Sequence, residues 1–232
     1  MPTMNKSRWL FAICLCFSAI PLAAQTNRFE WGLDFLGAFP KGDLADNIDD
    51  DGLGFAIYGG YRPAHSPFIV GLDLAFVNYG STSYKGPFRE CCRDLEEVET
   101  NNNIAMGHLF FRVQPDVGAL RPYFEGLVGV KSFFTTTTFR EDDVFDSDTD
   151  REFDDTAVSY GGGVGLSLIL RDGNLRSGPT VALNFGARYL FGGETDYVVE
   201  ESVEINGTQV DFDVVASKTD ILVARVGFSV SF

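Results

Sequence analysis

The feature that most constrains this chain is a two-residue alternation that recurs from end to end. The last thirteen residues, Asp220 to Phe232, read DILVARVGFSVSF. Leu222, Ala224, Val226, Phe228, Val230 and Phe232 fall on one face of an extended strand, and Arg225, Gly227, Ser229 and Ser231 on the other. Such a strand needs an apolar medium on one side and a polar one on the other. A soluble sandwich also satisfies one such strand, so the number and length of the strands must decide.

Seven earlier segments repeat the pattern. Phe29, Trp31, Leu33 and Phe35 oppose Glu30, Gly32 and Asp34; Leu53, Phe55, Ile57 and Tyr61 oppose Ala56, Tyr58, Gly60 and Arg62. Val70, Leu72, Leu74 and Phe76 oppose Gly71, Asp73 and Ala75; Leu109, Phe111 and Val113 oppose His108, Phe110 and Arg112. Phe124, Val128 and Val130 oppose Glu125, Gly129 and Lys131. In Ala157 to Leu170 and Val181 to Phe191 the apolar residues again oppose Ser, Gly, Asn184 and Arg188. Most segments have the 9 to 11 residues that a tilted strand needs to cross a bilayer, more than the roughly 5 to 6 of soluble sheets. The expected fold is therefore all-β, an eight-stranded antiparallel transmembrane up-and-down barrel.

The N-terminus agrees with export. Lys6 and Arg8 precede the apolar run Trp9 to Ile20, and Pro21-Leu22-Ala23-Ala24 follows, which predicts a signal peptide over 1–24 and a barrel domain over 25–232. Removing Lys6 and Arg8 from 18 basic residues leaves 16 against 33 acids, a formal charge of 16 − 33 = −17. Nucleic acid is excluded as a partner by that balance, because binding it rests on cations that neutralise phosphates. No cofactor motif is present: Gly161-Gly162-Gly163-Val164-Gly165 has Leu166 where a dinucleotide fingerprint needs its third glycine.

Connection lengths alternate. The links Pro63 to Pro67, Gln114 to Pro122 and Asp172 to Pro179 are short, whereas Pro40 to Gly52, Gly80 to Asn102, Thr135 to Asp155 and Gly192 to Asp220 are long and polar. Short periplasmic turns and long extracellular loops give that asymmetry. In the last loop Val203, Ile205, Val210, Phe212 and Val214 flank Asn206-Gly207, the pair preferred in a tight type I′ turn, which predicts a protruding ribbon that binds another protein or packs on a neighbouring loop.

The signal peptide, the eight amphipathic strands, the loop asymmetry and the terminal Phe232 resemble the small OmpA/OmpX-type outer-membrane barrels and the PorT-like barrel proteins. That resemblance implies residence in a bacterial outer membrane, contact with its lipids and lipopolysaccharide, and an assembly signal of Phe228, Val230 and Phe232 read by the barrel-assembly machinery.

The polar faces carry Glu30, Asp34, Asp73 and Glu125 against Arg62, Arg112, Lys131, Arg188 and Arg225. An eight-stranded barrel is just wide enough inside to be filled by side chains, so these nine form either a paired lumen network or a charged path for solute. They also set the register: a slip by one residue turns Arg188 or Arg225 to lipid, at about 2–4 kcal/mol each near the midplane.

Candidate chemistry is sparse. His65 and His108 are too far apart for a metal site, and His108 has no serine beside it on its own strand, so no catalytic residue, cofactor or metal is expected. Asn47-Ile48-Asp49-Asp50-Asp51-Gly52 starts like a calcium loop, but Tyr58 stands where the bidentate Glu belongs, leaving an acidic turn. Cys91 and Cys92 are adjacent in a loop assigned to the cell exterior, where they form a strained vicinal disulfide or pair with another chain. The functional expectation is a non-enzymatic barrel that is structural or presents its loops to an extracellular partner, with a narrow pore and a lipid-modifying enzyme as alternatives.

Overall fold

A computed structural model describes residues 28–46, 48, 51–63, 66–86, 96–140, 147–173, 178–198, 204–206, 209–211 and 214–232. The signal peptide, His65, Cys91, Cys92, Asn47, Asp49, Asp50 and Gly207 lie outside those residues. Twelve strands are described: β1 (Arg28–Lys41), β2 (Gly52–Arg62), β3 (Phe68–Gly86), β4 (Glu96–Val113), β5 (Leu120–Arg140), β6 (Ser147–Arg171), β7 (Thr180–Gly192), β8 (Glu194–Val198), β9 (Glu204–Asn206), β10 (Gln209–Asp211), β11 (Val214–Lys218) and β12 (Asp220–Ser231). A single 3-10 turn, η1 (Gly42–Leu44), follows β1.

Eight of the strands close in the order β1-β12-β7-β6-β5-β4-β3-β2, each antiparallel to its neighbours. The terminal strands complete the ring, with Glu30 opposite Ser231 and Lys41 opposite Asp220. Every strand thus has a partner on both sides at barrel level, which is how a sheet removes its edges. Gly118 and Gly178 take positive φ angles of 101° and 94° in two of the short turns, a backbone that side chains rarely adopt.

The outward face is apolar. Phe35 is 66% exposed and Leu53 74%, with Leu33, Leu72, Val128, Val164 and Phe228 also exposed. Aromatic rings pair along it toward both ends, as Phe29 with Tyr61 and Phe68 with Phe111 near the short turns, and Phe55 with Phe76 and Tyr160 with Phe191 toward the long connections. On β3 the outward apolar run extends from Phe68 to Phe76. At about 3.3 Å per residue and a tilt near 40° this covers roughly 20 Å of barrel height. It stops at a polar row in which Asn78 donates to Asn103 at 3.1 Å and Asn103 to Thr136 at 3.4 Å.

Two expectations are corrected. The stretches Gly80 to Asn102 and Thr135 to Asp155 are not open loops throughout. β3 and β4 stay paired out to Gly86 opposite Glu96, and β5 and β6 to Arg140 opposite Ser147. Polar strands such as Thr135 to Thr138 escape a search for apolar alternation, although β-branched residues favour the extended chain. Register shifts at Asn78/Gly80 and Thr135/Thr136 mark where these hairpins leave the apolar belt. In the last connection β8 pairs with β11, and β9 with β10.

The second correction concerns the lumen, which the alternation had presented as polar along its height. Toward the long connections its inward residues include Leu36, Ala38, Val77, Ile104, Met106, Phe133, Leu190, Ile221 and Val223, all buried, beside the equally buried Lys131. Leu44 and Ile48, from the connection after β1, join that apolar cluster.

Candidate functional site

The lumen is where this chain gathers its chemistry. Seven of the nine inward charges form one unbroken chain. Tyr58 donates its hydroxyl to Glu30 Oε1 at 3.1 Å, and Arg112 Nη1 reaches the same oxygen at 3.3 Å. Arg112 Nε and Nη2 both bind Glu125 Oε2 at 3.0 Å. Arg188 then links Glu125 Oε1, at 2.6 Å from Nε, to Asp73 Oδ1, at 2.9 Å from Nη1. Arg225 bridges Asp73 Oδ2 at 3.1 Å to Asp34, which it binds through Nε at 2.7 Å and through Nη2. Acid and base alternate throughout, and the chain starts at Glu30 and ends at Asp34, both on β1.

Alternation places these groups. Each sits at an inward position of its strand, so six strands each project charge into one enclosed space. Asp73 and Arg112 are 1% exposed, and ions so far from water are tolerated only when paired and hydrogen-bonded. Arg112 also lies 4.3 Å over the Tyr123 ring, which covers a guanidinium face. The glycine run of β6 supplies room. A Cβ at Gly163 would come within 2.8 Å of Arg188 Cγ, and one at Gly165 within 2.2 Å of the Tyr123 ring. Two buried polar atoms, Asp34 Oδ1 and Arg188 Nη2, have no partner among the described residues.

Arg62 and Lys131 lie off the chain. Arg62, toward the short turns, donates to Gln114 O at 3.0 Å and Gln114 Oε1 at 2.6 Å. From there Gln114, Ser167, Asn184 and Tyr58 continue a neutral hydrogen-bonded path back to Glu30. Lys131, fully buried toward the other end, donates to Thr219 O. A small polar pocket beside Glu30, Arg62, Gln114 and Arg121 lies at the short-turn end.

His108 has a partner that no search along its own strand reveals. Its Nε2 lies 2.9 Å from Ser159 Oγ, contributed by β6, and Asp73 is its register partner on β3. Both Asp73 carboxylate oxygens are held by arginines, and His108 and Ser159 are buried. A serine, a histidine and an acid thus meet in a packed interior, arranged as hydrogen-bonded lumen residues. The positions Phe228, Val230 and Phe232 point outward at the short-turn end, with Phe228 and Phe232 exposed. No group of three or more His, Cys, Asp or Glu suited to a metal occurs among the described residues.

No protein-family model matches the chain, and no curated protein does. Among solved structures it is similar to Neisserial surface protein A, NspA, at 14% identity over 88% of this chain and 95% of that one, with a TM-score of 0.40. It is also similar to Ail, the attachment invasion locus protein of Yersinia pestis, in complex with the heparin analogue sucrose octasulfate (14% identity, 89% and 97% covered, TM-score 0.39). A third is the N-terminal β-barrel domain of Pseudomonas aeruginosa OprF (13%, 89% and 98%, TM-score 0.36). At these identities and TM-scores the likenesses carry no argument about this chain, and its architecture is read from its own strands. By its strand count, closure and connectivity, the chain is a closed eight-stranded antiparallel up-and-down barrel.

Proposed function

We propose that this chain is an integral outer-membrane barrel without catalytic activity, closed to solutes, whose working surface is the set of β-hairpins that rise above the apolar belt. The single observation that carries this reading is the filled interior. The seven-membered ion chain crosses the lumen, and the apolar cluster of Leu36, Val77, Ile104, Met106, Phe133 and Ile221 packs the end nearest the hairpins. A solute would have to part buried ion pairs and then pass the packed apolar cluster, and each step raises the free energy of entry.

The belt supports insertion. Exposed Phe35, Leu53, Leu72 and Phe124 would be an aggregation liability in water, but in a bilayer they meet their own kind of medium. Short turns then face the periplasm, long hairpins the exterior, and the outward Phe228 and Phe232 are available to assembly machinery before the barrel closes. His108 and Ser159 do not make the chain a lipid enzyme in this reading, because an acyl chain has no route to them through the packed wall.

Reconstitution into planar bilayers tests the closed-barrel reading. The membrane should stay at baseline conductance under applied voltage, while the protein is shown to be inserted by protease protection of its strands. Sustained stepwise currents from inserted protein overturn it in favour of a pore.

A further inference from the structure

At its short-turn end the lumen holds a space of about 20 Å³, room for one water-sized group, with Glu30 from β1, Arg62 from β2, Arg121 from β5 and Ser229 and Ser231 from β12 among its walls. Alternation turns all five inward, and closure gathers them at one end because each stands near the short-turn end of its strand. The charged walls are two positive and one negative. Arg62 is 5% exposed and Arg121 6%, so both cations are held inside the barrel.

Arg62 singles the space out. Arg112, Arg121, Arg188 and Arg225 each reach a carboxylate, but among the described residues Arg62 reaches none. Its guanidinium donates to three neutral oxygens, Gln114 O, Gln114 Oε1 and, at 3.4 Å, Ser66 O, and its Nε–H has no acceptor among the described residues. Glu30 and Asp116 act on it through space without touching it. Glu30 has given its Oε1 to Tyr58 and Arg112, so that carboxylate is already met. Arg121 has Asp172 at 3.5 Å, but the Asp172 side chain is 73% exposed, where water screens the pair. The hydroxyls of Ser229 and Ser231 make no hydrogen bond among the described residues, and each has a proton to donate. A buried cation without a counter-charge is costly, and unbonded donors around one space call for an acceptor.

We propose that this space is a site for one small monovalent anion, chloride in the simplest case, held between Arg62 and Arg121 and hydrogen-bonded by Ser229 and Ser231. One such ion brings the walls to neutrality and supplies the acceptor that Arg62 Nε–H and the two hydroxyls lack. Glu30 on the same wall sets selectivity, because a doubly charged anion meets more of its repulsion, and the size of the space shuts out tetrahedral oxyanions such as sulfate. The Tyr58–Glu30–Arg112 contact lies on the inner side, so the ion enters and leaves past the short turns.

The test is chloride magnetic resonance on the whole barrel in a nonionic detergent, where exchange with a protein site broadens the line of the free ion. The unaltered barrel should broaden it saturably, and bromide should reverse the broadening where sulfate at equal ionic strength does not. Arg62→Gln removes the charge, and Ser229→Asp places a carboxylate of the chain's own in the space. Each should weaken chloride binding roughly ten- to hundred-fold, the factor that a hydrogen bond to a charged group represents. Heat-dependent gel mobility identifies the folded variants, and if Arg62→Gln does not fold, Ser229→Asp and the unaltered barrel decide. Absence of saturable broadening in the unaltered barrel overturns the proposal. So does displacement by sulfate as effective as that by bromide, which reports cations on the surface, and so does undiminished chloride affinity in a folded variant.

Discussion

Replacing Arg225 by Met removes the link on which the last strand depends. Arg225 is the sole described ion partner of Asp34 and one of two for Asp73, whose other oxygen stays with Arg188 Nη1 at 2.9 Å. At about 3 Å and an effective dielectric constant near 20, each of these attractions is worth roughly 5 kcal/mol gross, most of it offset by the cost of bringing the ions out of water. Deleting the arginine leaves that desolvation cost in place for Asp34, 1% exposed, with nothing opposite it. The expected loss is about 3–5 kcal/mol, the range for a buried charge stripped of its partner. Asp34→Asn combined with Arg225→Met removes the orphaned charge as well, so the double variant should lose at least about 1 kcal/mol less than the sum of the two single losses. Reversible urea unfolding in phospholipid vesicles measures this through the emission of Trp31, the one tryptophan beyond residue 24, which sits on the outward face at 51% exposure. An Arg225→Met barrel within about 0.5 kcal/mol of the parent, or a strictly additive double variant, would refute the argument that these charges act as a unit.

Three further outcomes follow from particular side chains. Leu72→Arg, in the middle of the apolar run of β3, should cost about 2–4 kcal/mol in the same unfolding experiment in vesicles, whereas a soluble protein would lose little at a residue 58% exposed. Gly227→Ala should cost about 1–3 kcal/mol, because its Cβ would meet Leu33 O and Asp34 Oδ1 at 2.1 Å, while Gly126→Ala, with nothing within 4 Å, should stay within about 0.5 kcal/mol; paired urea midpoints decide between them. Lys131→Met should leave stability unchanged or raise it by up to about 1 kcal/mol, since burial of Lys131 against Thr219 O outweighs the attraction of the Asp220 carboxylate, and a loss above about 2 kcal/mol would show that the attraction wins.

Strand count, inward and outward faces and the short turns are all written in the order of residues along the chain. A strand has a period of two and each residue meets one of only two media, so Phe35 against Asp34, or Phe228 against Arg225, declares its side locally. The same logic sends Arg62, Arg112, Lys131, Arg188 and Arg225 inward together. Which acid each base meets is not local. Arg225 finds Asp34 across 191 residues and Arg112 finds Glu30 across 82, because β1 closes against β12 and the curvature of a small barrel brings non-neighbouring strands within reach. Arg62 and Lys131 share the inward face but stand at different heights, and a pattern of faces carries no height, so only closure separates them from the ion chain. Ser159 beside His108 was hidden for the same reason, being 51 residues away on a strand two places around the ring. The polar hairpins above the belt escaped notice because backbone hydrogen bonds, rather than a contrast of media, hold β3 to β4 and β5 to β6 there, and a ladder of such bonds needs no apolar face to announce it.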